Sequence, residues 1–282
     1  MVAVYICYIG DQHILYRKLC MKQRHAFTLI EFAVVLVIIG LLIGAVVEGG
    51  SIRHAQELRS ATQDARNYAL AIQTFTDRYG SLPGDMPDAV RIWGRADGGT
   101  DLTVNCADPA TDASTGAPTC NGDGDGVIES SVAANPENFR AWQQLAAAGL
   151  IEGNYTGIGP GIALAQNVPA SSLEQSYFYI QSLGTLSGST DYFDGNYDNT
   201  LVLSSIPAPL LVPEDASEID IKIDDGLPGS GNIRTPTQTK SLADYSQNCV
   251  TSDLATTARY HLGGTQPECI LIFLQTFEQK PD

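Results

Sequence analysis

Between positions 121 and 129 the chain reads Asn121-Gly122-Asp123-Gly124-Asp125-Gly126-Val127-Ile128-Glu129. Side-chain oxygens stand at alternate positions over the first half of this run and return at Glu129. Calcium takes roughly six to eight hard oxygen ligands, carboxylates and backbone carbonyls among them. Asn121, Asp123, Asp125 and Glu129 supply such oxygens, and Val127 offers its backbone carbonyl. Gly126 permits the sharp turn that gathers them. Magnesium demands a stricter octahedron and suits the spacing less, so Ca2+ is the expected ion. The competing reading is a solvated turn, because Gly and Asp dominate turns in any case.

A second chemistry rests on one carboxylate. Glu31 closes the segment Phe27-Thr28-Leu29-Ile30-Glu31 and is followed by an apolar run from Phe32 to Val47. A charge at the centre of a bilayer costs roughly 2.5–3.5 kcal/mol on insertion scales, so an ionisable residue in such a segment is functional by default.

The acidic loop resembles the first nine positions of an EF-hand calcium loop. It departs from that pattern at its first ligand, Asn121, and at the twelfth position, Val132, where a bidentate Glu is usual. A further ligand has to come from elsewhere, and Asp112 and Glu137 are the nearest acids in sequence. Weaker acidic groups read as structure. Asp191, Asp194 and Asp198 lie in a polar loop, Asp224-Asp225 marks a helix end or turn, and Asp85 follows Pro83-Gly84 in a turn.

Catalysis finds little support. Past Tyr79 the sole histidine is His261, in the strand-like Tyr260-His261-Leu262. There is no Gly-x-Ser-x-Gly elbow, phosphate loop or paired zinc motif. Gly229-Ser230-Gly231 lacks the flanking strand and helix of a nucleotide site. Trp93 and Trp142 read as core or interface residues. The chain is expected not to be an enzyme.

The elements that must position these groups are legible in outline. From Phe27 to Tyr79 one helix is expected, close to 80 Å at about 1.5 Å per residue. Its second half is amphipathic: Ile52, Ala55, Leu58, Ala61, Ala65, Tyr68, Ala69, Ile72, Phe75 and Tyr79 recur in steps of three and four. Arg53, Glu57, Arg59, Asp64 and Arg66 fill the other face. Gly40 and Gly44 allow close helix approach, and Gly49-Gly50 is a possible kink. Gly80 and Leu82-Pro83-Gly84-Asp85 end the helix. A second helix should start at Asn135-Pro136-Glu137, with Asn at the cap and Pro in the first turn, and pack through Phe139, Trp142 and Leu145. Ser176 to Gln181 and Thr200 to Leu203 read as strands. Pro213 to Ile223 reads as a helix in preference to a strand, and Cys269 to Leu274 as a buried strand.

The chain carries 16 basic and 32 acidic residues over 282 positions, a formal charge of −16. The first 26 residues hold four basic residues and one acidic; without them 12 basic and 31 acidic residues remain, a charge of −19. Such a surface is ill suited to nucleic acid, whose binding rests on Lys and Arg neutralising phosphates. Past residue 26 there are four cysteines, Cys106, Cys120, Cys249 and Cys269. Their spacing favours Cys106–Cys120 and Cys249–Cys269 disulfides in an oxidising compartment, out of three possible connectivities. A zinc site would want shorter paired spacings.

Met21-Lys22-Gln23-Arg24-His25-Ala26, the Phe27 to Glu31 segment and the apolar run together resemble the N-terminus of type IV prepilins and type II secretion pseudopilins. The resemblance is tight from Met21 to Tyr79. It implies that prepilin peptidase, a membrane aspartyl protease, cuts between Ala26 and Phe27 and methylates the new N-terminus. Ala26 replaces the family's usual Gly and is still small. It also implies that Glu31, fifth in the mature chain, pairs with the terminal amine of a neighbouring subunit. Two opposite charges in a low-dielectric layer gain from meeting, and each is costly alone.

The fold implied is α+β and pilin-like, a long N-terminal helix packed on an antiparallel sheet with loop-rich insertions. The domains expected are a leader over 1–26, a helix over 27–80 that spans the membrane to about 47, and an exported domain over 81–282. Met1 to Cys20 reads as an extension upstream of a true start at Met21, with a genuine long leader as the alternative. The implied location is the bacterial inner membrane, single-pass, with a periplasmic domain, and then a pilus or pseudopilus. The implied partners are other pilin or pseudopilin subunits and the inner-membrane assembly platform. The alternative is a membrane-anchored periplasmic binding protein or adhesin that does not polymerise.

Overall fold

The computed structural model describes residues 28–130, 136–159, 167–173, 175–204, 211–237 and 248–274, apart from the side chains of 44–49 and 51. The chain divides into two units, Met1–Arg53 and His54–Asp282. Helix α1, Leu29–Tyr79 (51 residues), runs through both. It begins two residues later than expected and continues without a break through Gly49-Gly50.

In the first unit the described apolar residues of α1 are exposed, Phe32, Leu36, Val37, Leu41 and Ile43 among them. Among the described residues no helix is long and apolar enough to cross a membrane. The span expected over 27–47 is therefore not shown. Phe27 and the side chains of 44–47, which belong to that stretch, lie outside the described residues.

In the second unit Leu58, Ala61, Ala65, Ile72 and Phe75 of α1 are buried while Arg59 and Arg66 are exposed, as the three-and-four spacing requires. Gly80 then takes φ 69°, a left-handed conformation that ends the helix. A short helix α2, Ala89–Trp93, follows. Helix α3 spans Glu137–Ala147 and begins one residue later than expected, with Pro136 at the cap position; Asn135 lies outside the described residues. Strands β1, Tyr177–Leu186, and β2, Gly195–Ser204, are antiparallel neighbours and longer than the sequence pattern suggested. Helix α4 spans Pro213–Ile223 with Pro213 in its first turn, which decides for helix over strand.

Strand β3, Ile233–Arg234, was not expected, and β4 is only Leu271–Phe273. Cys269, expected within that last strand, instead makes an isolated bridge with Leu211. The described strands form one antiparallel sheet in the order β1-β2-β4-β3. The fold is α+β with an N-terminal helix, as expected.

The core joins three elements at one aromatic cluster. Tyr68 of α1 meets Trp142 of α3 edge-on at 5.2 Å and Phe178 of β1 at 5.1 Å. Phe139, Trp142 and Leu145 are buried as the sequence implies. Arg140, Gln143 and Gln144 are buried as well, which amphipathic periodicity does not foresee. A smaller apolar cluster holds Tyr197, Val202, Ile270 and Ile272. Tyr197 joins it because Asp198 adopts φ 41° opposite Gly184, where the β1–β2 register slips. A slip of that kind changes which face the following residues occupy. Both favoured disulfides are formed, Cys106–Cys120 and Cys249–Cys269.

Candidate functional site

Two groups of residues could do chemistry, one in each unit. In the first unit Thr28 stands just before α1. Its hydroxyl accepts the Glu31 backbone N–H at 3.2 Å. In return the Glu31 Oε2 accepts the Thr28 backbone N–H at 2.7 Å and the Thr28 hydroxyl at 2.9 Å. This is a reciprocal capping box, which satisfies donors that a helix start leaves unpaired. Sequence reading gave Glu31 an assembly role alone. The Thr-x-x-Glu spacing that marks a capping box was there to be found. Ala26 and Phe27, the expected processing residues, lie outside the described residues.

In the second unit the acidic loop is shaped mostly by residues outside it. Asp85, which sequence reading left as a turn residue, is buried beneath the loop. Its Oδ1 accepts the N–H groups of Gly124 at 2.7 Å and Asp125 at 3.1 Å, and its Oδ2 accepts that of Gly126 at 3.0 Å. One carboxylate thus gathers three successive backbone donors. The approach requires glycine at 122, where a Cβ would come within 2.4 Å of the Asp85 backbone. Gly126 takes φ 89°, the sharp turn the sequence called for.

Glu137, in the first turn of α3, holds the other side of the loop. Its Oε1 accepts the Asp123 N–H at 3.0 Å and its Oε2 the Glu129 N–H at 3.3 Å. Asn199 of β2 completes the frame, accepting from Ile128 N–H at 2.8 Å and donating to the Gly126 carbonyl at 2.9 Å. Ile128 is fully buried and anchors the loop to the core.

This frame brings some of the expected ligands together and sends one elsewhere. Carboxylate oxygens of Asp123, Asp125 and Glu129 lie within 4.8 Å of one another, and so do those of Asp85, Asp123 and Glu137. Asp123 and Asp125 are exposed. The Asn121 side-chain oxygen instead accepts the Val90 N–H at 2.8 Å, near the start of α2. The Val127 side chain is exposed. Of the two acids named as possible additional ligands, Glu137 reaches the loop. Asp112 turns to the Asp108 N–H at 2.8 Å.

The electrostatics fit a cation. Burial pushes the Asp85 carboxyl up to about 6 against the pull of its bonds to Gly126 and Gly124, and the charges of Asp123 and Asp125 push the same way. Burial also drives Glu137 well above the usual carboxyl range, reinforced by its hydrogen bond with Glu129. Crowded carboxylates of this kind could hold a metal ion, whose charge would reverse the local balance. The donors of both groups are carboxylate oxygens, which are hard ligands.

Asp220, Asp224 and Asp225 form a further acidic group. Asp220 accepts from the Tyr260 hydroxyl at 2.8 Å and the Gly226 N–H at 3.2 Å, and Asp224 accepts from Asn232 and Ile233 N–H. Asp225 accepts from Leu227 N–H and the Ser230 hydroxyl, both at 2.8 Å. These bonds fasten the turn from α4 to β3, in line with the structural reading. His261, expected in a strand, follows the isolated bridge between Val250 and Tyr260 and is exposed.

Residues 21–47 match the family model described as the prokaryotic N-terminal methylation motif. This is the type IV prepilin and pseudopilin signal, and the chain carries it. No curated protein and no solved structure matches the chain.

Proposed function

We propose that this chain is a filament-forming pilin-like subunit of a type IV pilus or a type II secretion pseudopilus. Prepilin peptidase cuts before Phe27 and methylates the new amine. The apolar part of α1 anchors the subunit in the inner membrane, the second unit lies in the periplasm, and the helix then packs with those of other subunits at the assembly platform. Glu31 pairs with the terminal amine of a neighbour and sets the register. The observation that carries this reading is the methylation motif over residues 21–47 with its carboxylate in place at Glu31. In this reading the protein is a substrate of the protease and has no catalysis of its own.

The test is the mass of the N-terminal peptide of the protein taken from its own cells. We expect a peptide that begins at Phe27 and is heavier by one methyl group. A chain that still carries Met21 to Ala26 would remove the proposal's main support and leave a plain anchored periplasmic binding protein or adhesin.

The acidic loop is proposed to bind calcium through Asp123, Asp125 and Glu129, with the Val127 carbonyl and Glu137 completing the shell. Asn121 contributes by holding the loop to α2, since its oxygen is taken by Val90. A ligand that binds only the folded state stabilises it by about 2.7 kcal/mol at a hundred times its dissociation constant. Saturating calcium should therefore raise the melting temperature of the purified full chain by several degrees, and chelation should reverse the rise. Asp125→Ala should abolish the response. A melting curve indifferent to calcium would leave the loop as a solvated turn.

A further inference from the structure

We propose that Thr28 is a positioning residue for assembly: it holds one oxygen of the Glu31 carboxylate and leaves the other to receive the amine of a second copy of this chain. This rests on the reading that Glu31 pairs with a neighbour's terminal amine.

Both the Thr28 N–H and the Thr28 hydroxyl go to Oε2, at 2.7 and 2.9 Å. Oε1 accepts no hydrogen bond among the described residues, and the Glu31 side chain is exposed. A free glutamate samples many rotamers, and an ion pair must overcome that entropy before it gains anything. Here the entropy is already spent within the subunit. The two Thr28 bonds restrain the carboxylate through Oε2 and leave Oε1 outside them, and preorganisation of this kind is worth affinity without any new contact.

The arrangement also survives maturation. Cutting between Ala26 and Phe27 leaves the Phe27–Thr28 peptide bond intact, so the Thr28 N–H remains an amide donor. The Thr28 hydroxyl plays two parts at once. It accepts from the Glu31 N–H at 3.2 Å, which caps the helix, and it donates to the carboxylate, which aims it. These parts separate by substitution. Serine keeps both. Aspartate caps helices about as well as serine or threonine, yet it has no proton to donate to Oε2 and places a like charge beside it. Valine matches threonine in shape and keeps neither part.

The experiment expresses wild type, Thr28→Ser, Thr28→Val, Thr28→Asp and Glu31→Gln as full chains in the protein's own cells. Two readouts are taken. The N-terminal peptide mass reports cutting and methylation. The share of chains beginning at Phe27 that pellet as polymer reports assembly, and slower cutting does not enter it. Thr28→Ser should assemble within about twofold of wild type. Thr28→Val and Thr28→Asp should fall about tenfold, the scale of one lost charge-assisted interaction. A pure capping role predicts instead that Thr28→Asp assembles normally, and that result overturns the proposal. So does normal assembly of Thr28→Val alongside a deficient Glu31→Gln. If both are left uncut while Thr28→Ser is cut, Thr28 serves the protease and the proposal also falls. Normal assembly of Glu31→Gln sinks the underlying reading of Glu31 itself.

Discussion

Asp85→Ala is expected to lower the stability of the second unit by about 3 kcal/mol and to abolish the calcium binding proposed for the acidic loop. The substitution strips the acceptor from three backbone donors, Gly124, Asp125 and Gly126 N–H. Each buried donor left unpaired costs about 1–3 kcal/mol. Two effects reduce the sum. The loop is partly open, so water replaces some of the lost bonds. Asp85 itself is a buried acid whose ionised form is unfavourable there, as its raised pKa of about 6 records. A net loss at the low end of that sum, about 3 kcal/mol, remains, which is large against a domain stability of about 5–15 kcal/mol. Urea unfolding with and without calcium measures both quantities. Asp85→Asn keeps one acceptor oxygen and should lose about half as much. A drop below about 1 kcal/mol for Asp85→Ala would mean that Glu137 and Asn199 hold the loop without it.

Trp142→Ala should be costlier still, about 3–5 kcal/mol, the usual range for removing a buried large aromatic. Trp142 is fully buried and meets Tyr68 edge-on at 5.2 Å. Tyr68 in turn meets Phe178 at 5.1 Å, so a void at 142 loosens the contact among α1, α3 and β1 together. Among the described residues the indole Nε1 has no hydrogen-bond partner. Trp142→Phe therefore removes an unpaired donor along with some volume, and its cost should stay under about 2 kcal/mol. The same unfolding measurement decides. Equal losses for the two variants would contradict a packing role and point to the indole nitrogen instead.

The parts of this fold that sequence made legible are those with local causes. Gly80 ends α1 because a left-handed residue stops a helix wherever it stands. The Pro-Glu-Asp start of α4 works within one turn. The cysteine spacings pair because short loops close easily. Alternating Asp and Gly announced the acidic loop, and the Thr28–Glu31 box was open to the same kind of reading. What escaped is long-range. Asp85 lies 39–41 positions from the amides it gathers, and nothing in Pro83-Gly84-Asp85 says where its carboxylate will point. Asn121 matched a ligand pattern, but its oxygen was claimed by Val90, 31 positions earlier. Strand β3 is two residues long and exists only because β4 lies beside it. Its sequence carries no period to detect.

The buried polar face of α3 has a consequence for how this protein can change. Arg140 donates to the carbonyls of Pro109 and Asp112, Gln143 to those of Ser114 and Thr156, and Gln144 to that of Cys120. Every one of these acceptors is main chain. Apart from Thr156, these carbonyls belong to the disulfide-closed segment 106–120, so the helix grips that segment mainly by its peptide groups, which all residues share; Thr119, whose hydroxyl donates to Gln143 Oε1 at 2.8 Å, is the side chain it does read. Substitution on the outer side leaves the grip untouched, while an insertion or deletion shifts the carbonyls out of step with three fixed donors. The segment is thus a cassette of fixed length and free spelling, and its relatives should vary in letters far more readily than in number.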